Sequence, residues 1–171
     1  IGIAGAMGVA LAAHTAASGT DSRMAFDAEM ARAIPALREA RPTAVNLAWA
    51  LERVRRQVAG LAPSQRALAA WQEAERLCDE DARCNLGIGE LGAPLLRAAA
   101  RGEPTLQRPL QVLTHCNAGR LATIDHGTAL APLYALHAAG VPIHVWVDET
   151  RPRNQGASLT AWELARAGVP H

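Results

Sequence analysis

The spacing of hydrophobic residues in the first hundred positions predicts one helix after another. Small apolar residues fill positions 2–18 and predict a closely packed helix. A second helix is expected to begin at a cap on Asp21 or Ser22 and to run to about residue 40, with a kink at Pro35. A further proline follows and separates this pair of helices from the next one.

Two more helices are predicted before residue 104. An apolar stripe with spacings of four, three and four predicts a helix over about 43–59. The members of the stripe are Leu47, Leu51, Val54 and Val58. The arginines on the rest of this helix, which we expect to be mostly solvated, are Arg53, Arg55 and Arg56. A long helix is then predicted from Pro63 to about residue 100.

The pattern changes to alternating strands and helices after residue 104. The predicted strands are 110–115 and 141–147, and the helices expected after them are 128–139 and 158–167. Strand, loop and helix, repeated twice, is typical of a parallel α/β sheet. We therefore predict an α/β chain with a helical N-terminal domain (1–104) and a Rossmann-like parallel α/β domain (105–171). Because the chain opens within a helix and stops where a new strand is expected, we also expect it to be part of a longer protein.

The composition narrows the classes of function. The 171 residues are 50% hydrophobic and 19% charged, with a net charge of +1. This composition predicts a soluble globular protein. It lacks a strong positive field that would attract nucleic acids or anionic membranes. All seventeen basic residues are arginines. A Schiff-base or phosphate-loop lysine is therefore excluded within these residues, and a bound phosphate would be held by arginine, backbone N–H groups or neutral side chains.

The sequence offers no strong pattern for a cofactor or a metal. Gly87, Gly89 and Gly92 match the G-x-G-x-x-G spacing of dinucleotide sites, but the residues before them are charged and helical rather than strand-forming. We expect these glycines to serve helix packing or a helix break. The histidines lack chelating spacing, and the three cysteines form no C-x-x-C pair. Reduced thiols of a cytoplasmic protein are the simplest interpretation.

Two loops at the expected carboxyl edge of the sheet carry the candidate chemistry. Cys116 directly follows the first predicted strand, where open α/β sheets bind ligands and a thiol can be activated. The loop 148–157 follows the second strand and contains two carboxylates, two guanidiniums and amide groups, which suit a phosphorylated ligand. A buried structural cysteine and a salt-bridged loop remain the alternatives at this point.

Five blocks of sequence, in order, resemble the methylthioribose-1-phosphate isomerase family of methionine salvage. The blocks are 1–13, 41–47, 114–117, 147–157 and 159–164. The superfamily also contains ribose-1,5-bisphosphate isomerases and the regulatory subunits of translation initiation factor 2B. The chain departs from the family pattern at Ala118, where Thr is common, and at residues 124–126.

The resemblance implies a function and a set of site residues. It implies a homodimer that converts the sugar phosphate 5-methylthioribose 1-phosphate to 5-methylthioribulose 1-phosphate without a cofactor. Cys116 matches the family's catalytic cysteine, whereas Arg41 and Gln155 match substrate-binding positions. The family's catalytic aspartate would lie beyond His171, so residues 1–171 alone are expected to be inactive.

Three alternatives to this function stay open. A non-catalytic regulatory relative of the initiation factor subunits would be expected to lose the cysteine, the arginine and the glutamine, and this chain keeps all three. Another pentose 1-phosphate could be the substrate of an isomerase. A cysteine hydrolase built on His115 and Cys116 is disfavoured, since adjacent residues at a strand end point to opposite faces.

Overall fold

The chain forms two compact units in a computed structural model that describes residues 1–19 and 23–171. The units are Ile1–Glu80 and Asp81–His171. The division falls inside the longest helix, so the final turns of that helix belong to the second unit. The boundary predicted after residue 104 lies later in the chain than this division and stays a prediction.

The first unit is built from the four helices that the hydrophobic pattern predicts. They are α1 (Gly2–Gly19), α2 (Arg23–Glu39), α3 (Val45–Ala59) and the first part of α4 (Pro63–Ala98). The predicted caps Asp21 and Ser22 lie outside the described residues. All four members of the apolar stripe are buried on α3, at 4% exposure or less. They pack against small residues of α1 and apolar residues of α2 and α4, and this confirms the helical period.

The prediction that the arginines of α3 are mostly solvated is wrong for Arg53. Its side chain is 28% exposed, and its guanidinium binds Glu73 at 2.6 Å and Glu80 at 2.5 Å. The cause is the position of α4, which brings two carboxylates to that side of α3. Arg55 and Arg56 are solvated as expected, with side chains 49% and 75% exposed.

The second unit contains a parallel pair of strands. Strand β1 (Leu110–His115) pairs with β2 (Ile143–Asp148) in a register that places His115 opposite Asp148. Helix α5 (Ala131–Ala138) connects them, and a π-helical turn (Gly156–Ala161) continues into α6 (Trp162–Arg166). This arrangement confirms the predicted α/β architecture. None of the described helices combines the length and the hydrophobicity that crossing a membrane requires.

Helix α5 begins three residues later than its predicted start at residue 128. Thr128 donates its backbone N–H to the carbonyl of Ala118 at 2.9 Å and its hydroxyl to the same carbonyl at 3.3 Å. These bonds hold residue 128 in the loop after β1, so it cannot join the first turn of the helix. The loop that carries the candidate cysteine is thereby hydrogen bonded to the segment that directly precedes α5.

The G-x-G-x-x-G segment lies inside α4, where it serves helix packing. A Cβ atom at Gly92 would stand 2.6 Å from Cγ of Pro132, and one at Gly89 would stand 3.2 Å from the carbonyl oxygen of Ala131. Both glycines therefore permit α4 to approach the start of α5. The residues directly before the motif are helical, since α4 is continuous from Pro63. The expectation of a packing role is confirmed for Gly89 and Gly92, whereas Gly87 meets nothing within 4 Å and α4 is not broken there.

Candidate functional site

The carboxyl edge of the strand pair brings together the two loops that the sequence singled out. His115 and Asp148 are register partners at the last position of each strand. Nδ1 of His115 lies 3.0 Å from Oδ2 of Asp148, and both side chains are more than half exposed. This hydrogen bond, together with one from a backbone N–H, holds the pKa of Asp148 below its ordinary value. His115 thus interacts with the opposite strand, and sequence reasoning did not foresee the pair.

Cys116 occupies an unusual backbone conformation directly after β1. Its φ angle is +61°, in the left-handed region that non-glycine residues seldom adopt. The residue is half-buried, and its thiol is free of any disulfide. Such a conformation costs about 1–3 kcal/mol and persists only where surrounding contacts hold it. At Cys116 the contact is a hydrogen bond from the hydroxyl of Thr160 to the cysteine's own carbonyl oxygen.

The loop after β2 is closed by Glu149. Its carboxylate accepts hydrogen bonds from the backbone N–H groups of Thr150 at 2.7 Å, Gly156 at 3.0 Å and Ala157 at 2.9 Å. These bonds, led by the one from Ala157, hold the pKa of Glu149 below its ordinary value. Glu149 therefore caps the beginning of the π-helical turn, where orphan N–H groups favour an anion. Within the loop this carboxylate serves the fold, while Arg151 and Arg153 stay exposed.

Gln155 and Arg41 occupy different units of the chain. Gln155 is half-buried at the N-cap of the π-helical turn, on the same edge of the strand pair as Cys116. Arg41 is exposed in the connection between α2 and α3. Helix α3 begins at Val45 after a turn in which the carbonyl of Arg41 accepts the N–H of Ala44 at 3.0 Å. Arg41 therefore lies one turn before the start of α3, because residues 41–44 form this separate turn.

Two residues near Cys116 were missed as functional candidates, although the resemblance included their segment. Thr160 is fully buried and contacts the cysteine loop. Glu163 is 6% exposed, and its Oε2 accepts the backbone N–H of Leu121 at 3.1 Å, farther along the same loop. Burial raises the pKa of Tyr134, and the neighbouring Glu163 carboxylate adds to this shift. The available signal was that Thr160 and Glu163 are polar residues three positions apart on a helix predicted to pack on a sheet.

Metal binding finds no support in the residues described. Within residues 1–19 and 23–171, no three His, Cys, Asp or Glu side chains lie close enough together to hold a metal ion. What the carboxyl edge offers instead is a thiol, an amide and backbone N–H groups. Such a set can bind a polar ligand and move a proton.

The chain is similar to proteins named as isomerases and to one named as an initiation factor subunit. A model of the initiation factor 2 subunit family matches residues 1–171. Methylthioribose-1-phosphate isomerase of Rhodospirillum rubrum is 54% identical over 170 residues, which cover 96% of this chain and 44% of that protein. The isomerase of the same name from Acidiphilium cryptum is 52% identical over 171 residues, covering 100% of this chain and 43% of that protein.

Two solved structures share the fold. The crystal structure of 5-methylthioribose 1-phosphate isomerase from Pyrococcus horikoshii matches with a TM-score of 0.82 and 36% identity, over 99% of this chain and 45% of that one. The delta subunit of translation initiation factor eIF-2B from A. fulgidus matches with a TM-score of 0.76 and 38% identity, over 99% and 46%. The chain spans less than half the length of these relatives.

Proposed function

The chain belongs to the initiation factor 2 subunit family, and from this membership we propose that the full-length protein is an aldose–ketose isomerase. Its proposed reaction is the conversion of 5-methylthioribose 1-phosphate to 5-methylthioribulose 1-phosphate, in methionine salvage. The observation that carries the proposal is the identity of 54% and 52% to two proteins that bear the name of this isomerase. The strained cysteine at the carboxyl edge of the strands supports it from the structure.

The substrate itself explains why a thiol is useful. Phosphate on the anomeric oxygen prevents the simple ring opening that ordinary aldose isomerases use. An acid must therefore help the ring oxygen to leave, while a second group handles the hydrogen on C2. We assign the second role to Cys116, as base or stabiliser at C2. The resemblance gives the acid's role to an aspartate beyond residue 171, and Asp148 and Glu149 are already engaged with His115 and with backbone N–H groups.

Arg41 and Gln155 are the proposed substrate-binding residues. The chain has no lysine, so a bound phosphate would be held by arginine and backbone N–H groups. Arg41 is exposed, and its guanidinium forms no ion pair with any residue that the structure describes. It is thus available to a ligand. Gln155 lies where the π-helical turn begins. The next residue, Gly156, donates its N–H to Glu149, which directly follows the end of β2.

Three finer properties are also proposed, the cellular location from the free cysteines and the other two from the resemblance. The protein is expected to act as a homodimer, to work in the cytoplasm and to need no cofactor. Light scattering on the purified full-length protein tests the first of these, and a mass of one chain would contradict it. Activity that survives dialysis against a chelator, in buffer without added nucleotide or metal, tests the last.

A regulatory, non-catalytic role is the second candidate, because the A. fulgidus subunit has the same fold at 38% identity. The chain keeps Cys116, Arg41 and Gln155, which such a relative would be expected to lose. A cysteine hydrolase stays disfavoured because His115 and Cys116 are adjacent at the end of a strand, where successive side chains point to opposite faces. Isomerisation of another pentose 1-phosphate remains the variant closest to the proposal.

Incubation of the full-length protein with chemically defined sugar phosphates tests the proposal. Proton and phosphorus NMR would follow the loss of the anomeric phosphate ester and the appearance of the ketose. We expect conversion of 5-methylthioribose 1-phosphate and much slower conversion of ribose 1,5-bisphosphate. Conversion of the bisphosphate alone would replace the substrate, and absence of any conversion would favour the regulatory role.

A further inference from the structure

We propose that Thr160 is a positioning residue that holds Cys116 in its reactive conformation. This inference rests on the proposed function, since it deepens the role given there to Cys116. Thr160 lies in the π-helical turn Gly156–Ala161, forty-four positions after the cysteine, and is fully buried. Turns of this kind interrupt ordinary helices at an energetic cost and recur at functional sites.

The hydroxyl of Thr160 has a defined direction. Its oxygen accepts a hydrogen bond from Nδ2 of Asn117 at 3.1 Å, and its proton is donated to the carbonyl oxygen of Cys116. Because the amide of Asn117 donates to the hydroxyl oxygen, the hydroxyl proton is left to point at the carbonyl. One buried side chain thus contacts both the carbonyl group of Cys116 and the side-chain amide of Asn117.

The backbone of Cys116 needs such a restraint. A φ angle of +61° is unfavourable for any residue with a Cβ atom, so the loop would relax without external contacts. The carbonyl held by Thr160 belongs to Cys116 itself, and its orientation sets the direction in which the thiol leaves the chain. The hydroxyl therefore acts on the position of the sulfur without touching a substrate.

The same turn connects the cysteine to the proposed substrate-binding glutamine. Gln155 forms the N-cap of the turn, and Glu149 fixes its first two residues through the N–H groups of Gly156 and Ala157. Thr160 joins the other end of the turn to the Cys116 loop. Loss of its hydroxyl would therefore misplace the thiol relative to the substrate while leaving Gln155 anchored by Glu149. The expected signature is a lower kcat with a nearly unchanged KM.

The test compares Thr160→Val, which removes the hydroxyl and keeps the branched shape, with Thr160→Ser, which keeps the hydroxyl. In the full-length protein we expect Thr160→Val to lower kcat about ten- to a hundredfold, the cost of a small misplacement of a reacting group. Thr160→Ser should stay within about threefold of the wild type, because the hydrogen bond is retained. Thr15→Val is the matched control, since the hydroxyl of Thr15 bonds a backbone carbonyl at 3.0 Å in α1.

A second measurement keeps this test separate from the proposed activity. The rate at which iodoacetamide alkylates Cys116, followed peptide by peptide to distinguish Cys78 and Cys84, reports the position of the thiol whatever the substrate is. Thr160→Val should change this rate and Thr160→Ser should not. A wild-type protein without isomerase activity would refute the proposed function and leave this comparison intact.

The outcome that would overturn the inference is equal behaviour of the valine and serine variants in both kcat and alkylation rate. If Thr160→Val fails to fold, Asn117→Ala provides the same test from the other side, because it removes the bond that directs the hydroxyl. The alanine variant should shift the alkylation rate of Cys116, and an unchanged rate would equally overturn the role of Thr160.

Discussion

Gly87 and Gly92 share one helix and one motif, and we expect alanine to have opposite effects at the two positions. A Cβ atom at Gly87 meets nothing within 4 Å. Alanine is favoured over glycine in a helix interior by about 1 kcal/mol, so Gly87→Ala should stabilise the protein by about that amount.

At Gly92 the same change meets a rigid ring. The new Cβ atom would stand 2.6 Å from Cγ of Pro132, whereas ordinary contacts begin at 3.4 Å. A proline at the start of α5 has no flexible end that could move away, so α4 and α5 would have to separate. Overpacking of this kind costs about 1–3 kcal/mol, which offsets the gain in helix propensity and leaves a net loss of up to about 2 kcal/mol.

Urea unfolding of the full-length protein and the two variants, followed by circular dichroism, measures this difference. With equal slopes of the transitions, the midpoints should fall in the order Gly87→Ala, wild type, Gly92→Ala. Relative to the wild type, both variants gain the same helix propensity. The difference between their midpoints therefore measures the steric effect at Gly92. Equal midpoints for the two variants would refute the close packing of α4 against α5.

Two further changes address the ligand and the loop. Arg41→Lys should raise KM at least about tenfold with little change in kcat, because a point charge cannot reproduce the two-pronged hydrogen bonding of a guanidinium to phosphate; an unchanged KM would make Arg41 structural. Glu149 has a pKa below its ordinary value of 4.5 in the folded protein, so its ionised form contributes stability that is present above that value and is lost as the pH falls further. In unfolding measurements, Glu149→Gln should therefore be less stable than wild type near neutral pH and approach it in acid, whereas a constant difference would contradict this role.

The helices and strands were predictable because their signals are local. The stripe from Leu47 to Val58 has the helical period, and all four of its members are buried on α3. The strands β1 and β2 carry apolar, β-branched residues between loop residues, and both were located to within two residues. Gly89 and Gly92 of the G-x-G-x-x-G motif were correctly assigned to helix packing, because the sequence before the motif is typical of a helix.

The parts that escaped prediction depend on contacts between distant positions. Arg53 is paired because α4 places Glu73 and Glu80 beside it, twenty and twenty-seven residues along the chain. Thr160 was not recognised because its partner lies forty-four residues away. The spacing of residues within one helix does not show which residues of another helix will contact it. The register of the strands, which places His115 opposite Asp148, likewise depends on residues that are far apart in the sequence.

Turnover of 5-methylthioribose 1-phosphate by the full-length Cys116→Ser variant tests the proposed site most directly. The substitution keeps the volume of the side chain nearly constant but replaces a thiol by a much weaker acid. We expect kcat to fall by about 100- to 10,000-fold, as for the loss of a general base, with an unfolding midpoint close to that of the wild type. Turnover near the wild-type rate would remove Cys116 from the reaction and contradict the site proposed at the carboxyl edge of β1 and β2.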